Sequence, residues 1–140
     1  MLQMDPYLFF DGNCAEAMRF YERALGGKIE MMMTIGEAPP SNQPPHGSKD
    51  RIMHARLVVD GRALMASDAM ESEPYQGMKN FFVSLTYSSA ADAKRVFNVL
   101  SPGGKVIAPL DETFWSEAFG MVVDRFGTPW MVSGGKQASA

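Results

Sequence analysis

The sequence has little cysteine, no long hydrophobic run and no excess of positive charge. Its one cysteine, Cys14, excludes an intramolecular disulfide framework. No apolar run approaches the roughly 20 residues of a membrane helix, and the N-terminus lacks the basic and apolar regions of a signal peptide. A net charge of −3 gives no electrostatic reason to expect a nucleic-acid partner. These features predict a cytoplasmic protein with neither nucleic-acid nor membrane partners.

What the sequence does contain is an internal duplication. A Gly-Gly-Lys triplet begins at Gly26 and again at Gly103, and each follows a segment with helical spacing of apolar residues. Leu-Val-Val-Asp ending at Asp60 matches Met-Val-Val-Asp ending at Asp124. We therefore predict one domain over residues 1–140, with one module at about 1–70, a second at about 71–134 and a frayed tail at 135–140.

Each module is predicted to have the order β-α-β-β-β, which makes the fold class α+β. The strands and helices are expected at about 7–10, 15–25, 28–34, 52–59 and 62–67, and then at 81–86, 90–100, 105–110, 117–123 and 129–133. Asn13 and Ser89 stand at the helix starts as capping residues. Residues 36–50 are too rich in proline for regular structure, which leaves either a lid or a disordered insertion.

The chain resembles the vicinal oxygen chelate superfamily (glyoxalase I, extradiol dioxygenases and fosfomycin-resistance proteins), and within it the PhnB-like group. The resemblance lies in the segments 7–21 and 64–70, and in the more distinctive Glu-Thr-Phe-Trp at 112–115 and Asp-Arg-Phe-Gly-Thr-Pro-Trp-Met at 124–131. It implies two modules that form an open curved sheet around a cavity, and a homodimer. Members of this group are often labelled methyltransferases, but no Gly-x-Gly-x-x-Gly turn follows any strand here.

The resemblance also implies where a metal ion would bind, on the first and last strand of each module. Counting from the helices, those positions fall on Pro6, Met65, Phe82 or Val83, and Met131. None offers the carboxylate or imidazole that a divalent ion needs, and a slip of one residue adds only Asp5. We therefore predict no metal and no cofactor. The methionines either fill a cavity wall or, less simply, bind copper(I).

Asp60-Gly61 predicts a two-residue hairpin, and that hairpin fixes which side chains share a sheet face. If Val59 pairs with Arg62, then Arg56 lies opposite Met65 and His54 lies opposite Ser67. His54 is the candidate catalytic residue because imidazole titrates near neutral pH. Arg56 is a candidate clamp for an anionic ligand, unless it forms a structural ion pair with Asp68 or a nearby glutamate.

The other candidate ligand-binding residues are Ser67, Asp68, Glu112, Trp115 and Tyr7. Asp68 is as suited to capping a turn as to binding a ligand, and the aromatic cluster at Trp115 suits either a pocket wall or the core. Trp130 is predicted to be core and His46 to be solvated. Cys14 lies in the first helical turn, where a thiol can be acidified, but no second cysteine or paired histidine accompanies it.

Three functions remain open at this point. The first is a metal-free protein that binds a small organic, possibly anionic, ligand, with acid–base chemistry through His54. The second is a metal-dependent lyase, dioxygenase or thiol transferase of the superfamily. The third is a non-catalytic protein that sequesters its ligand. The fold hosts many chemistries, so the sequence leaves both the ligand and the question of catalysis undecided.

Overall fold

The computed structural model describes residues 1–44, 47–71 and 74–138, which form two compact units, Met1–Gly77 and Met78–Ala140. The first unit contains β1 (Tyr7–Phe10), α1 (Cys14–Leu25), β2 (Lys28–Thr34), β3 (Ile52–Val59) and β4 (Arg62–Asp68). The second contains β5 (Val83–Tyr87), α2 (Ala90–Leu100), β6 (Lys105–Asp111), β7 (Ser116–Val123) and β8 (Pro129–Gln137). Both units have the predicted order β-α-β-β-β.

Each unit forms one mixed sheet with the same topology. The strand orders are β1-β4-β3-β2 and β5-β8-β7-β6. The outer pairs β1–β4 and β5–β8 are parallel, whereas the hairpin pairs are antiparallel. Both sheets are open, and the predicted fold class, a duplicated α+β module, is confirmed.

The core of each unit lies between its sheet and its helix. Along β1 the side chains alternate, so that Leu8 and Phe10 are buried while Tyr7 and Phe9 are exposed. The Phe10 ring contacts the ring of Tyr21 on α1, with centroids 6.5 Å apart. The residues of α1 that are fully buried are Cys14, Ala17, Met18 and Tyr21.

The second helix packs close enough to its sheet that two strand positions must be glycine. A Cβ at Gly120 would lie 2.8 Å from Cε2 of Phe97, and one at Gly134 would clash with the backbone oxygen of Ser89. Both glycines lie on the helix-facing side of the sheet, where any larger residue would push α2 away.

The two helix starts differ from one another. Ser89 caps α2 as predicted, because its hydroxyl accepts a hydrogen bond from the Asp92 N–H at 3.1 Å. Asn13 makes no side-chain capping bond on α1, so that prediction is wrong. The carboxylate of Asp68, at the end of β4, occupies the capping role instead.

Two segments are more regular than predicted. The proline-rich stretch contains 3₁₀ turns at Ile35–Glu37 and Pro40–Asn42, which contradicts the expectation of no regular structure. The prediction of a frayed tail is wrong for residues 135–137, because β8 continues to Gln137 and pairs there with Ser116. His46, predicted to be solvated, lies outside the described residues.

Candidate functional site

The β3–β4 hairpin has the predicted register. Asp60 and Gly61 both have positive φ, 48° and 76°, as a tight two-residue hairpin turn of this kind requires. Val59 pairs with Arg62 and Arg56 pairs with Met65. The register that was inferred from Asp60-Gly61 is therefore confirmed from Val59–Arg62 to Ala55–Ala66, and the paired region ends one pair short of His54 and Ser67.

The face of the first sheet that points away from α1 carries the candidate residues, and we call it the helix-free face. Phe10 points to α1, so Tyr7 points away from it, and the Tyr7 ring stacks on His54 with centroids 5.7 Å apart. Arg56 lies two residues along β3 from His54, so it shares this face, as does Met65, whose sulfur it contacts. The prediction that His54 and Arg56 lie on one face, away from the helix, is confirmed.

His54 and Tyr7 form a hydrogen-bonded pair of potentially reactive groups on the helix-free face. The Tyr7 hydroxyl and Nδ1 of His54 share a hydrogen bond of 3.0 Å. Because this bond occupies Nδ1, Nε2 is the ring atom left for a ligand or a proton. The phenol thus fixes the orientation of the imidazole, as an orienting group does in many acid–base sites.

Arg56 is engaged by a neighbouring carboxylate. Its Nε lies 3.3 Å from Oε1 of Glu30 on β2, and its Nη1 lies 3.9 Å from the sulfur of Met65. Of the two roles left open by the sequence, the structure gives Arg56 the ion pair with a nearby glutamate. Both side chains are partly exposed, so this pair contributes little to stability.

Asp68 binds backbone groups with both carboxylate oxygens. Oδ1 accepts from the N–H groups of Gly12 and Cys14 at 2.8 and 3.0 Å, and Oδ2 accepts from the Ile52 N–H at 2.8 Å. The carboxylate therefore caps α1 and ties β3 to the end of β4. Asp68 lines the cavity described below, but we assign it this structural role.

The environment of Cys14 makes its thiol inert. Burial, with a smaller contribution from the charge of Asp68, raises the pKa of the thiol from 9.0 to about 12. Its place in the first turn of α1 does not acidify it, because desolvation and a neighbouring anion both favour the neutral thiol. Cys14 therefore lacks the acidified thiol that a nucleophilic cysteine needs.

A cavity of about 870 Å³ lies between the described part of the proline-rich segment (residues 36–44 and 47–50) and the end of β4. Its walls are mostly apolar, with Phe9, Ile35, Ile52, Met53 and Met70 among the residues that line it. Uncharged polar groups come from the segment Ser41–Gln43, from Ser48 and from Ser67, and three charged side chains also line the cavity. Of the predicted ligand-binding residues, the structure therefore places Ser67 and Asp68 in the cavity wall.

The Tyr7–His54 pair lies beside this cavity rather than in its wall. Phe9 lines the cavity and its ring contacts the Tyr7 ring, with centroids 5.4 Å apart. Phe9 also pairs with Ser67 across β1 and β4. The cavity and the helix-free face thus share Phe9 and Ser67.

Like Glu71, Arg51 is a charged residue of this region that the sequence analysis missed. Its guanidinium binds Asp11 at 2.8 Å, Glu71 at 3.0 Å and the carbonyl oxygen of Ala69 at 2.9 Å. The hydrogen bond that Arg51 donates to Asp11 is the largest cause of the raised pKa of Arg51. The one signal in the sequence was the change from a proline-rich loop to an apolar strand at this residue, which does not identify its partners.

Glu112 and Trp115 belong to the second unit. They line a shallow pocket of about 320 Å³ together with Phe114, Glu117 and Lys136. The Trp115 ring packs edge-on against Phe114 and Phe119, with centroids 4.7 and 5.3 Å apart. Trp115 therefore belongs to a partly exposed aromatic cluster.

Trp130 is fully buried, as predicted for a core residue. Its indole Nε1–H donates to Oδ2 of Asp124 at 2.8 Å, and Oδ1 of the same carboxylate accepts from the N–H groups of Phe126 and Thr128. The distinctive segment 124–131 is thus a turn organised around one buried aspartate.

The positions at which the family would place metal ligands do not fit a divalent ion. The strand residues that lie beside Met65 and Met131 are Tyr7 and Ser84, rather than Pro6 and Phe82 or Val83 as counted from the helices. Thioether and hydroxyl groups are poor ligands for the hard ions of such sites, and the Tyr7 hydroxyl is bonded to His54. Within residues 1–44, 47–71 and 74–138, no group of three His, Cys, Asp or Glu side chains is placed to hold a metal ion.

Comparison with known proteins agrees with the fold. The model of the Glyoxalase/Bleomycin resistance protein/Dioxygenase superfamily matches residues 3–132. Protein YjdN from Escherichia coli (strain K12) is 37% identical, over 97% of each chain. Protein PA1353 from Pseudomonas aeruginosa superposes with a TM-score of 0.90 at 50% identity, over 96% of this chain and 98% of that one.

The PhnB protein from Bacillus cereus shares the fold at lower identity, with a TM-score of 0.79 and 22% identity over 95% of this chain and 99% of its own. Within the part of the chain that the structure describes, neither helix is long and apolar enough to cross a membrane. The resemblance seen in the sequence is confirmed, and the chain belongs to the glyoxalase/bleomycin resistance protein/dioxygenase superfamily.

Proposed function

We propose that this protein binds a small, largely apolar organic molecule in the cavity of its first unit. The cavity carries the proposal: its volume of about 870 Å³ lies within the roughly 300–1,000 Å³ of small-molecule sites. Apolar walls with a few convergent polar groups are the usual lining of such sites. The proline-rich segment serves as the cover of the cavity, which favours the lid over a disordered insertion.

The cover is held at its base by the chain itself. The Ile35 N–H donates to the carbonyl oxygen of Arg51, and the Gly36 N–H to that of Lys49, at 2.8 and 2.9 Å. The Gln43 side chain donates back to the carbonyl oxygens of Gly36 and Ala38. These bonds preorganise the polar residues of the cover, which lowers the entropy cost of binding.

A fluorescent neutral probe tests this proposal. N-phenyl-1-naphthylamine is expected to bind the wild-type protein with micromolar affinity and increased emission. Met53→Trp, which fills the cavity from β3, should weaken binding at least tenfold, and Met70→Trp at the exposed rim should weaken it less.

Met4→Trp is the matched control, because Met4 is 84% exposed and does not line the cavity. Equal binding by the Met53→Trp and Met4→Trp proteins would refute the cavity as the site. A thermal melt of each variant separates loss of binding from loss of folding.

The contact between Tyr7 and His54 supports acid–base catalysis as a second candidate function. A ligand in the cavity that extends past Phe9 would meet Nε2 of an imidazole that is already oriented. His54 is then the catalytic residue, with Tyr7 as its positioning residue. The non-catalytic alternative, sequestration of the ligand, predicts that bound ligand is recovered chemically unchanged.

We further propose that the protein works without the metal of its superfamily. The chemistry of Tyr7, Met65, Ser84 and Met131 supports this, since none is a carboxylate or an imidazole. Purified protein is expected to contain far less than one equivalent of nickel, zinc, manganese or iron by elemental analysis. A stoichiometric metal whose removal by a chelator abolishes ligand binding or turnover would favour the metal-dependent lyase, dioxygenase or transferase instead.

A homodimer in the cytoplasm completes the proposal. The family resemblance supports the dimer, and so do large apolar side chains left exposed on both units, such as Phe9 at 52% and Phe114 at 94%. The single buried thiol fits a reducing compartment.

A further inference from the structure

The charges around the cavity bear on which ligands it accepts. Three charged side chains are among the residues that line it: Arg51, Asp68 and Glu71. One is cationic and two are anionic. The partners of each group decide how much of that charge a ligand would meet.

The cationic group is already neutralised. The guanidinium of Arg51 is held by the carboxylates of Asp11 and Glu71 and by the carbonyl oxygen of Ala69, and the side chain is only 17% exposed. These contacts engage Nε and both terminal nitrogens. An anionic ligand would therefore have to displace a carboxylate to pair with Arg51, at the cost of leaving that carboxylate unpaired.

The anionic groups are not neutralised to the same degree. Arg51 faces the two carboxylates of Asp11 and Glu71. Within the described residues, the hydrogen bonds of Asp68 all come from backbone N–H groups, and Arg51 acts on its charge only at longer range. Glu71 is 40% exposed, and its contacts with the Ser48 N–H and Arg51 Nε both use Oε1. Within the described residues Oε2 accepts no hydrogen bond, so it is the carboxylate oxygen left for a ligand.

We infer that the cavity prefers an apolar molecule that carries a cationic or hydrogen-bond-donating nitrogen, and that it disfavours anions. Glu71 Oε2 is the acceptor that receives this nitrogen at the rim, while the apolar body of the ligand lies against Phe9, Ile52 and Met53. The inference rests on the proposed function, and it differs from the possibly anionic ligand that the sequence analysis allowed. Arg51 has a structural role at the rim, where it binds Asp11, Glu71 and Ala69, and it does not bind the ligand.

Three probes that share one aromatic body test the charge preference. They are 1-naphthylmethylammonium, 1-naphthylmethanol and 1-naphthylacetate, titrated calorimetrically at low ionic strength and neutral pH. The cation is expected to bind about tenfold more tightly than the anion, with the alcohol between them. Added salt should narrow this ratio, because the rim is open to solvent.

Glu71→Gln should reduce the ratio of the cation's affinity to the anion's affinity to about threefold or less. The substitution removes the acceptor charge and one of the two carboxylates that neutralise Arg51. Glu16→Gln, on the exposed side of α1, changes the net charge equally and should leave the ratio unchanged. Both affinities in the ratio are measured on the same variant, so a partial loss of folded protein affects them equally and leaves the ratio unchanged.

The outcomes separate this inference from the proposed function. The inference is overturned, while the cavity remains a binding site, if the acetate binds most tightly. It is also overturned if Glu71→Gln leaves the ratio of the cation's affinity to the anion's affinity unchanged. Failure of all three probes to bind, or equal binding by wild type and Met53→Trp, overturns both.

Discussion

Replacing Asp68 with alanine is expected to lower the free energy of unfolding by about 3–5 kcal/mol. The substitution leaves the N–H groups of Gly12, Cys14 and Ile52 without their acceptor, and the site is 7% exposed, so water cannot fully replace the carboxylate. It also removes the negative charge at the start of α1. Urea denaturation measures the effect, with the slope checked for two-state behaviour.

Asp50→Ala is the control, because Asp50 is exposed and its carboxylate accepts no hydrogen bond from the described residues. This substitution should change the free energy of unfolding by no more than about 0.5 kcal/mol. The loss of stability in Asp68→Asn should lie between the losses in Asp68→Ala and Asp50→Ala. Its amide oxygen can still accept from Gly12 and Cys14, but its amide nitrogen faces the Ile52 N–H and cannot accept from it. An Asp68→Ala protein of normal stability with impaired ligand binding would show that the carboxylate serves the ligand and not the fold.

The parts of the fold that could be predicted are those encoded locally. Asp60-Gly61 fixes the hairpin because few residue pairs accept two successive positive φ angles, and the register of β3 on β4 follows from the turn alone. Ser89 caps α2 through a bond to a residue three positions away. Such patterns need no knowledge of the tertiary structure.

The parts that could not be predicted depend on residues distant in the sequence. The cap of α1 comes from Asp68, 56 residues after Gly12, so the local signal at Asn13 was misleading. Gln137 continues β8 because Ser116 is there to pair with it, and the sequence of the tail does not reveal that partner. Tertiary contacts overrode the local preference in both places.

The candidate site could likewise be predicted only where it depends on local sequence. The shared face of His54 and Arg56 followed from strand alternation, whereas the neutralisation of Arg56 by Glu30 depends on the pairing of β2 with β3, which includes a shift in register. Arg51 was overlooked because its partners lie 40 residues earlier and 20 later. A charged residue at the start of a strand gives no sign of such contacts.

Cys14 should react with iodoacetamide roughly 1,000-fold more slowly in the folded protein than in the unfolded chain at pH 8. The factor follows from the rise of the thiol pKa from 9.0 to about 12, because the thiolate is the reactive species and its fraction falls tenfold for each unit. The chain has no other cysteine, so the mass increase of a single label reports this site directly.

The pH dependence gives a second check on Cys14. In the unfolded chain the rate should level off above about pH 9, whereas in the folded protein it should still rise tenfold per unit between pH 8 and 10. The folded-state pKa is the higher one, so this thiol contributes stability that is complete below pH 9 and is lost as the pH rises toward 12. Rapid labelling of the native protein at pH 7, at a rate that low urea leaves unchanged, would contradict the buried neutral thiol and restore Cys14 as a candidate nucleophile.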